Sequence, residues 1–532
     1  MRHALSSASI AVAFTSVAAS VNLHWPYTAQ IHRQEQILYE SQDLSIGCLE
    51  RQDTTIAAQW VRTAFHDMAT HNVNDGTGGL DASIRFELDR AENVGIGMFQ
   101  TLTDFNRLQT RVSGLADILA MATVFAYGGC GGPLIPYRAG RVDAAGPGVS
   151  GVPEPDQDIQ SHIDSFARQG FTQSEMIALV ACGHAFGGVR KDDFPTMGLV
   201  NDFELFHGAQ HYSNAVVTGW LDDTTPNPLV RAANVDFRSD DRIFRSDGGV
   251  TMQNIAAGPA FNSACSSLVE RMINTVPSGV TLTDVIQPIE NKVGKARLFV
   301  SSDANELVLT TSLRLLNPAN NPSRTVTLFW TDRRTPSTCP STGCTSASIS
   351  AQRITGPDVN TIGASGFDLY GITAWKYDFE AHINAASSID KFWFEIDEHD
   401  GSSATVVNNG GSGYVITQDQ MLFDPVRSAL NVFPSAPAVM TITVAIRDGS
   451  GGSPQISVNT FDPVSLGPTS LPQVAIVPAA LDSSVPPRAG YTFYSANVGL
   501  GTRSFDVNGQ IGGNSFIEEV VSVEEEIRVI NH

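Results

Sequence analysis

The chain reads as a multidomain protein: a mainly α-helical first half, then a β-rich, sandwich-like C-terminal region. Three observations predict this. At 532 residues the chain exceeds what one hydrophobic core can fill, so two or three domains are expected. Between residues 50 and 280 apolar side chains recur at helical spacing. Near residue 290 that pattern gives way to short β-branched runs separated by Gly, Pro, Asn and Ser. An apolar content of 42% with 17% charged residues suits folded domains.

The elements follow in order. Residues 1–20 are expected to be a secretory signal: Arg2 and His3 precede a small, apolar run from Ala4 to Ala19, with Ala18, Ala19 and Ser20 as the small-residue exit. No later stretch is long and apolar enough for a bilayer span, and the C-terminus is too polar for a lipid-anchor tail. A secreted, extracellular product without a membrane partner is expected. Residues 52–71 carry Ile56, Trp60, Val61, Ala64, Phe65 and Met68 on one helical face, and 104–126 repeat the pattern from Phe105 to Val124. In 172–187, Thr172 and Glu175 form a capping-box pair, Phe171 and Met176 can staple the first turn, and Gly187-Gly188 stops the helix. The first domain is expected to span 21–290, with its junction in Pro277 to Lys292. Beyond it, runs such as 296–300, 306–310, 325–330, 391–396 and 438–445 predict antiparallel strands, in one large β domain or two small ones over 291–532.

The net charge of −22 argues against nucleic acid as a partner. Of six cysteines, Cys339 and Cys344 can close a small loop. Cys182, on a very apolar stretch, reads as a buried free thiol, which leaves Cys48, Cys130 and Cys265 competing for one bridge.

Two histidines carry the chemistry. On a helix Arg62 and His66 share a face, with Phe65 beside them, and can present a base, a cation and an apolar wall to one pocket. The plainer alternative is a core histidine and a surface arginine. Asp67, the Gly79 carbonyl, Asp81 and the Ser83 hydroxyl are hard oxygen donors suited to calcium; the alternative is a solvated acidic turn. His184 lies in the 172–187 helical stretch, just before Gly187-Gly188.

These residues stand in an ordered set: Arg62-x-x-Phe65-His66-Asp67, Gly79-Leu-Asp-Ala-Ser83, Ser113-Gly-Leu-Ala-Asp117, Gly131-Gly-Pro133, Gly140-Arg-Val-Asp143, Val152-Pro-Glu-Pro155, Phe171 to Gly187, and Phe244-Arg-Ser-Asp247. Over about residues 45–275 the set resembles the plant, fungal and bacterial haem peroxidase superfamily. The resemblance implies haem b as cofactor, hydrogen peroxide and small reducing substrates as partners, and one distal calcium held by Asp67, Gly79, Asp81 and Ser83. It implies His184 as the iron ligand through Nε2 and Asp247 as acceptor of its other N–H. It implies His66 as acid–base, Arg62 as charge stabiliser and Phe65 beside them. Asn93 would bond the other nitrogen of His66, with the Glu87 carboxylate behind it. Pro153 matches a position near the haem edge and Phe206 one beneath the haem.

Departures narrow the reading. Ala185 and the 212–214 segment lack the ligands of a second calcium, as in the ascorbate and cytochrome c peroxidase branch. Thr55, Gln59 and Arg190 stand where a manganese site would be, and Leu179 where lignin-type enzymes place an oxidisable tryptophan. Generic one-electron oxidation of phenol-like donors remains. The β region is expected either to supply a packed core, with Trp330, Trp375 and Trp393 inside, or to contact polysaccharide or cell wall. The competing reading of the whole is a haem-binding or wall-associated interaction protein with a vestigial pocket.

Overall fold

Helix α4 (Leu115–Gly129) is apolar on all sides and buried along nearly its whole length, so it sits at the centre of the helical half. This computed structural model describes residues 19–20, 25, 27–40, 45–51, 54–354, 366–449 and 451–532. In chain order the other helices there are α1 (Ala29–Tyr39), α2 (Ile56–Met68), α3 (Gly97–Asn106), α5 (Ile159–Arg168), α6 (Gln173–Gly183), α7 (Ala215–Leu221), α8 (Pro228–Arg231), α9 (Ser239–Phe244), α10 (Val250–Asn254) and α11 (Gly258–Ile273). Helix α2 packs on α4, and α6 packs against α11.

The expected single helix over 104–126 is two. A turn closed by backbone bonds between Thr110 and Ser113 separates α3 from α4. The Asp143 carboxylate then accepts the N–H groups of Leu115 and Ala116 (3.0 and 2.9 Å), satisfying donors that a helix start leaves orphaned. In return, Asp117 accepts from the backbone N–H groups of Gly140 and Arg141, both at 3.0 Å, so two of the motif segments interlock. The capping box at Thr172 and Glu175 forms, but α6 stops at Gly183 and leaves His184 as its C-cap.

Cys182 is not a free thiol. It faces Cys265 across the α6–α11 contact, with Cα atoms 5.4 Å apart, and the two form a disulfide. Cys48 therefore pairs with Cys130, and Cys339 with Cys344. An apolar setting suits a cystine as well as a thiol, which is why the local sequence misled.

The β-rich region follows from Asn291. Its first part is a four-stranded and a five-stranded sheet face to face, with Leu309, Phe379 and Phe394 between them. Its second part is a ten-stranded sheet around Ile442, Val458 and Phe505. There are thus two β cores. Trp330 is buried in the first, whereas Trp393 is half-buried and stacks on Phe329 with centroids 5.6 Å apart. The expected signal lies almost wholly outside the described residues; Ala19–Ser20 pairs in parallel with Phe516 and Ile517.

Trp25 and α1 make contacts with the β half. Trp25 meets Phe392 and Tyr414 edge-on, at 5.7 and 5.3 Å. From α1, the fully buried Glu35 accepts from Lys292 Nζ at 2.6 Å and pairs with Arg314. Burial opposes its ionisation, but the two cations outweigh that and hold its carboxyl at about 2.

Candidate active site

Helix α2 turns Arg62, Phe65 and His66 into one cavity of about 280 Å³, and the end of α6 brings His184 to the same cavity. His66 Nδ1 lies 2.8 Å from Asn93 Oδ1. The Asn93 amide donates to the backbone carbonyl of Glu87 at 2.9 Å. That fixes the amide's orientation, so its oxygen faces the imidazole and Nδ1 carries the proton. The lone pair is then on Nε2. Burial, reinforced by the charge of Arg62, pushes His66 down to about 3 against the opposing bond to Asn93. His66 is therefore a neutral imidazole at ordinary pH. Arg62 donates to the Val94 carbonyl at 2.9 Å. Burial lowers its guanidinium to about 10, with Asp193 opposing, and it stays charged.

His184 lines the same cavity; its Nδ1 donates to Asp240 Oδ2 at 2.8 Å, and Phe206 stacks on the imidazole with centroids 4.1 Å apart. Asp240 is 1% exposed, and Asn227 Nδ2 donates to the same oxygen at 2.7 Å. Pro153 and Phe206 line the cavity too. Among the described residues neither His66 Nε2 nor His184 Nε2 has a protein hydrogen-bond partner. Two imidazoles, each tied back through Nδ1, thus offer a free Nε2 to one space.

Asp247 does not reach His184. Its carboxylate accepts from Gly249 N, Thr251 N and Thr251 Oγ1, at 3.0, 2.9 and 2.6 Å, and so holds the turn into α10. The sequence Phe-Arg-Ser-Asp occurs twice, at 237–240 and 244–247, seven residues apart. Only the aspartate of the first copy, Asp240, is buried and bonded to His184. Asn227 was missed outright; it lies outside every motif. The Glu87 carboxylate is not what Asn93 contacts either: it accepts from Gly148 N and pairs with Arg90.

Residues 45–247 match the Peroxidase family. This stretch is a peroxidase domain. The chain is 33% identical over 473 residues to a WSC domain-containing protein of Arthroderma benhamiae, covering 86% of this chain and 60% of that protein. It is 33% identical over 198 residues to the mitochondrial cytochrome c peroxidase of Aspergillus fumigatus, 34% of this chain and 54% of the relative. It is 31% identical over 134 residues to the peroxisomal L-ascorbate peroxidase 5 of Arabidopsis thaliana, 25% and 48%. The chain thus spans about half to three fifths of the length of these relatives.

Beside its distal helix the peroxidase domain folds the 79–84 loop around Asp67. Asp67 accepts from the backbone N–H groups of Asp81, Ala82 and Ile84 at 2.9, 2.7 and 2.8 Å, and Ser83 N donates to Asp81 Oδ1 at 3.1 Å. The Ser83 hydroxyl stands 3.4 Å from Asp67 Oδ1. Burial, together with Asp81, pushes the Asp67 carboxyl well up, and burial raises Asp81 as well. Gly79 is needed here: at φ +125° a Cβ would meet the Thr275 carbonyl at 2.7 Å. Among the described residues no three acidic, His or Cys side chains converge as a metal cage.

Proposed function

We propose that the chain is an exported haem peroxidase that consumes hydrogen peroxide and oxidises small, phenol-like donors in one-electron steps. The observation that carries this reading is the pair of Nε2 atoms, of His66 and His184, without a hydrogen-bond partner among the described residues, both on residues that line one largely apolar cavity. The donor set suits a haem: a neutral imidazole already anchored by a buried carboxylate, an aromatic ring stacked beside it, and a polar opposite face. Haem b, when bound, supplies the iron centre that takes peroxide and stores its two oxidising equivalents.

The chain's residues then act as follows. His184 would hold the iron through Nε2, and Asp240, through Nδ1–H, holds the ring orientation and makes it a stronger donor. His66 Nε2 takes the proton of the incoming peroxide and returns it to the departing oxygen. Asn93 keeps that nitrogen unprotonated beforehand. The Arg62 guanidinium stabilises the negative charge that develops as the O–O bond breaks. Phe65 and Pro153 wall the cavity.

The Asp67–Asp81–Ser83 loop, with the Gly79 carbonyl, supplies the hard oxygen donors of a calcium site, and its buried carboxylates have charge for a cation to offset. Export is supported by three disulfides and by the absence, among the described residues, of any helix able to cross a membrane. Wall or polysaccharide contact through residues 291–532 belongs to the same proposal, supported by the half-buried Phe329–Trp393 stack and by similarity across both halves to the WSC domain-containing protein.

The test is stopped-flow mixing of the haem-loaded full chain with peroxide, following the haem absorbance. The parent shifts promptly, and His66→Leu slows the shift by about 10²–10⁴-fold. A chain that takes up no haem, or a mutant as fast as the parent, overturns the reading in favour of a binding protein with a vestigial pocket.

A further inference from the structure

A single oxygen, Asp240 Oδ2, accepts two hydrogen bonds: from His184 Nδ1 at 2.8 Å and from Asn227 Nδ2 at 2.7 Å. Asn227 is 1% exposed and cannot turn over. Its Oδ1 accepts Leu229 N at 2.9 Å, and its own backbone N–H donates to Thr225 Oγ1 at 3.2 Å. A flipped amide would set its NH₂ against the Leu229 N–H and its oxygen against a carboxylate. The donor is therefore locked onto Asp240.

Donors compete for charge on a shared acceptor. The amide draws electron density from Oδ2, so less is left to polarise the His184 N–H. Asp240 is 1% exposed, so water cannot level the difference. We propose that Asn227 is a positioning residue that limits how strongly Asp240 acts on His184, and thereby raises the reduction potential of an iron held by His184. The proposal rests on His184 being the haem ligand. With the amide removed, the carboxylate pulls harder on the Nδ1 proton, the imidazole becomes a better donor, and the ferric state gains.

The experiment uses the haem-loaded full chain and two variants, Asn227→Leu and Asn227→Ser. Serine keeps an oxygen for the Leu229 N–H but is too short to reach Asp240. Two quantities are read: the ferric/ferrous midpoint potential, and the iron–imidazole stretching band of the ferrous protein in resonance Raman spectra. Both variants should move the potential to more negative values and the band to higher frequency. If the leucine variant fails to fold, the serine variant decides. A serine variant with parental circular dichroism and haem uptake but unmoved potential and band overturns the proposal, as does a shift of opposite sign. Asp240→Asn is the control for the underlying reading. It should raise the potential and lower the band, and if it moves neither, His184 is not the ligand and the function proposed above fails instead.

Discussion

Asn93 accepts the Nδ1 proton of His66 at 2.8 Å while its own amide is held by the Glu87 carbonyl at 2.9 Å. The tautomer of His66 is thus set by the backbone, one residue removed. Asn93→Val leaves a buried N–H with no acceptor, a loss of about 1–3 kcal/mol. The peroxide step should slow by roughly 5- to 150-fold, on 1.4 kcal/mol per factor of ten. A bimolecular rate equal to the parent's would mean that something other than Asn93 orients the ring.

The pH profile should carry the mark of His66. Its folded-state value is about 3, against 6.5 for a free histidine. The base form therefore persists down to about pH 3, and the rate of the peroxide step should stay level through pH 6.5 and fall only near 3. Stability behaves differently. Between 6.5 and 3 the unfolded chain holds more protons at this residue, so its effect is to lower stability as pH falls through that window. Stopped-flow rates and denaturant midpoints across pH 3–8 separate the two effects. An acid limb centred near 6.5 would show His66 to be open to water.

Calcium should stabilise the helical half. Burial raises both Asp67 and Asp81, and a bound cation would reverse that. At about 100 times its dissociation constant, a single site adds about 2.7 kcal/mol. The melting temperature should rise on adding calcium, fall with a chelator, and lose this dependence in Asp81→Asn. A parent chain indifferent to both additions would exclude the site.

Glu35→Gln should be costly although it lies far from the cavity. The mutation leaves Lys292 buried without its anion and Arg314 with Glu40 as its remaining carboxylate. Removing one partner of a buried ion group typically costs about 3–5 kcal/mol. Urea unfolding of the full chain measures it, and a loss below about 1 kcal/mol would place the group in water.

Local patterns carried much of the molecule. The capping box at Thr172 and the spacing of Arg62 and His66 depend on neighbours three or four residues away, and such relations are visible in one dimension. The strands from Asn291 onward announced themselves by composition. What could not be read were choices between equivalents far apart in the chain. Phe-Arg-Ser-Asp at 237–240 and at 244–247 are identical strings, and only the packing of α9 beside α6 selects Asp240. Cys182 and Cys265 lie 83 residues apart, and their meeting is a property of the α6–α11 contact. Asn227 belongs to no pattern; its role exists only because α8 packs against α9.

The ion cage around Glu35 also fixes an order of events. Helix α1 is made before its counter-ions, which lie 257 and 279 residues further on. At ribosomal speeds of about 5–20 residues per second, the carboxylate waits roughly 10–50 s for Lys292 to appear. Until then α1 can dock only on the helical half, where Gln34 donates to Ser113 Oγ at 3.1 Å and to Asp117 Oδ2 at 3.2 Å, and the ion cage closes once the first two strands of the β-rich half have been synthesised.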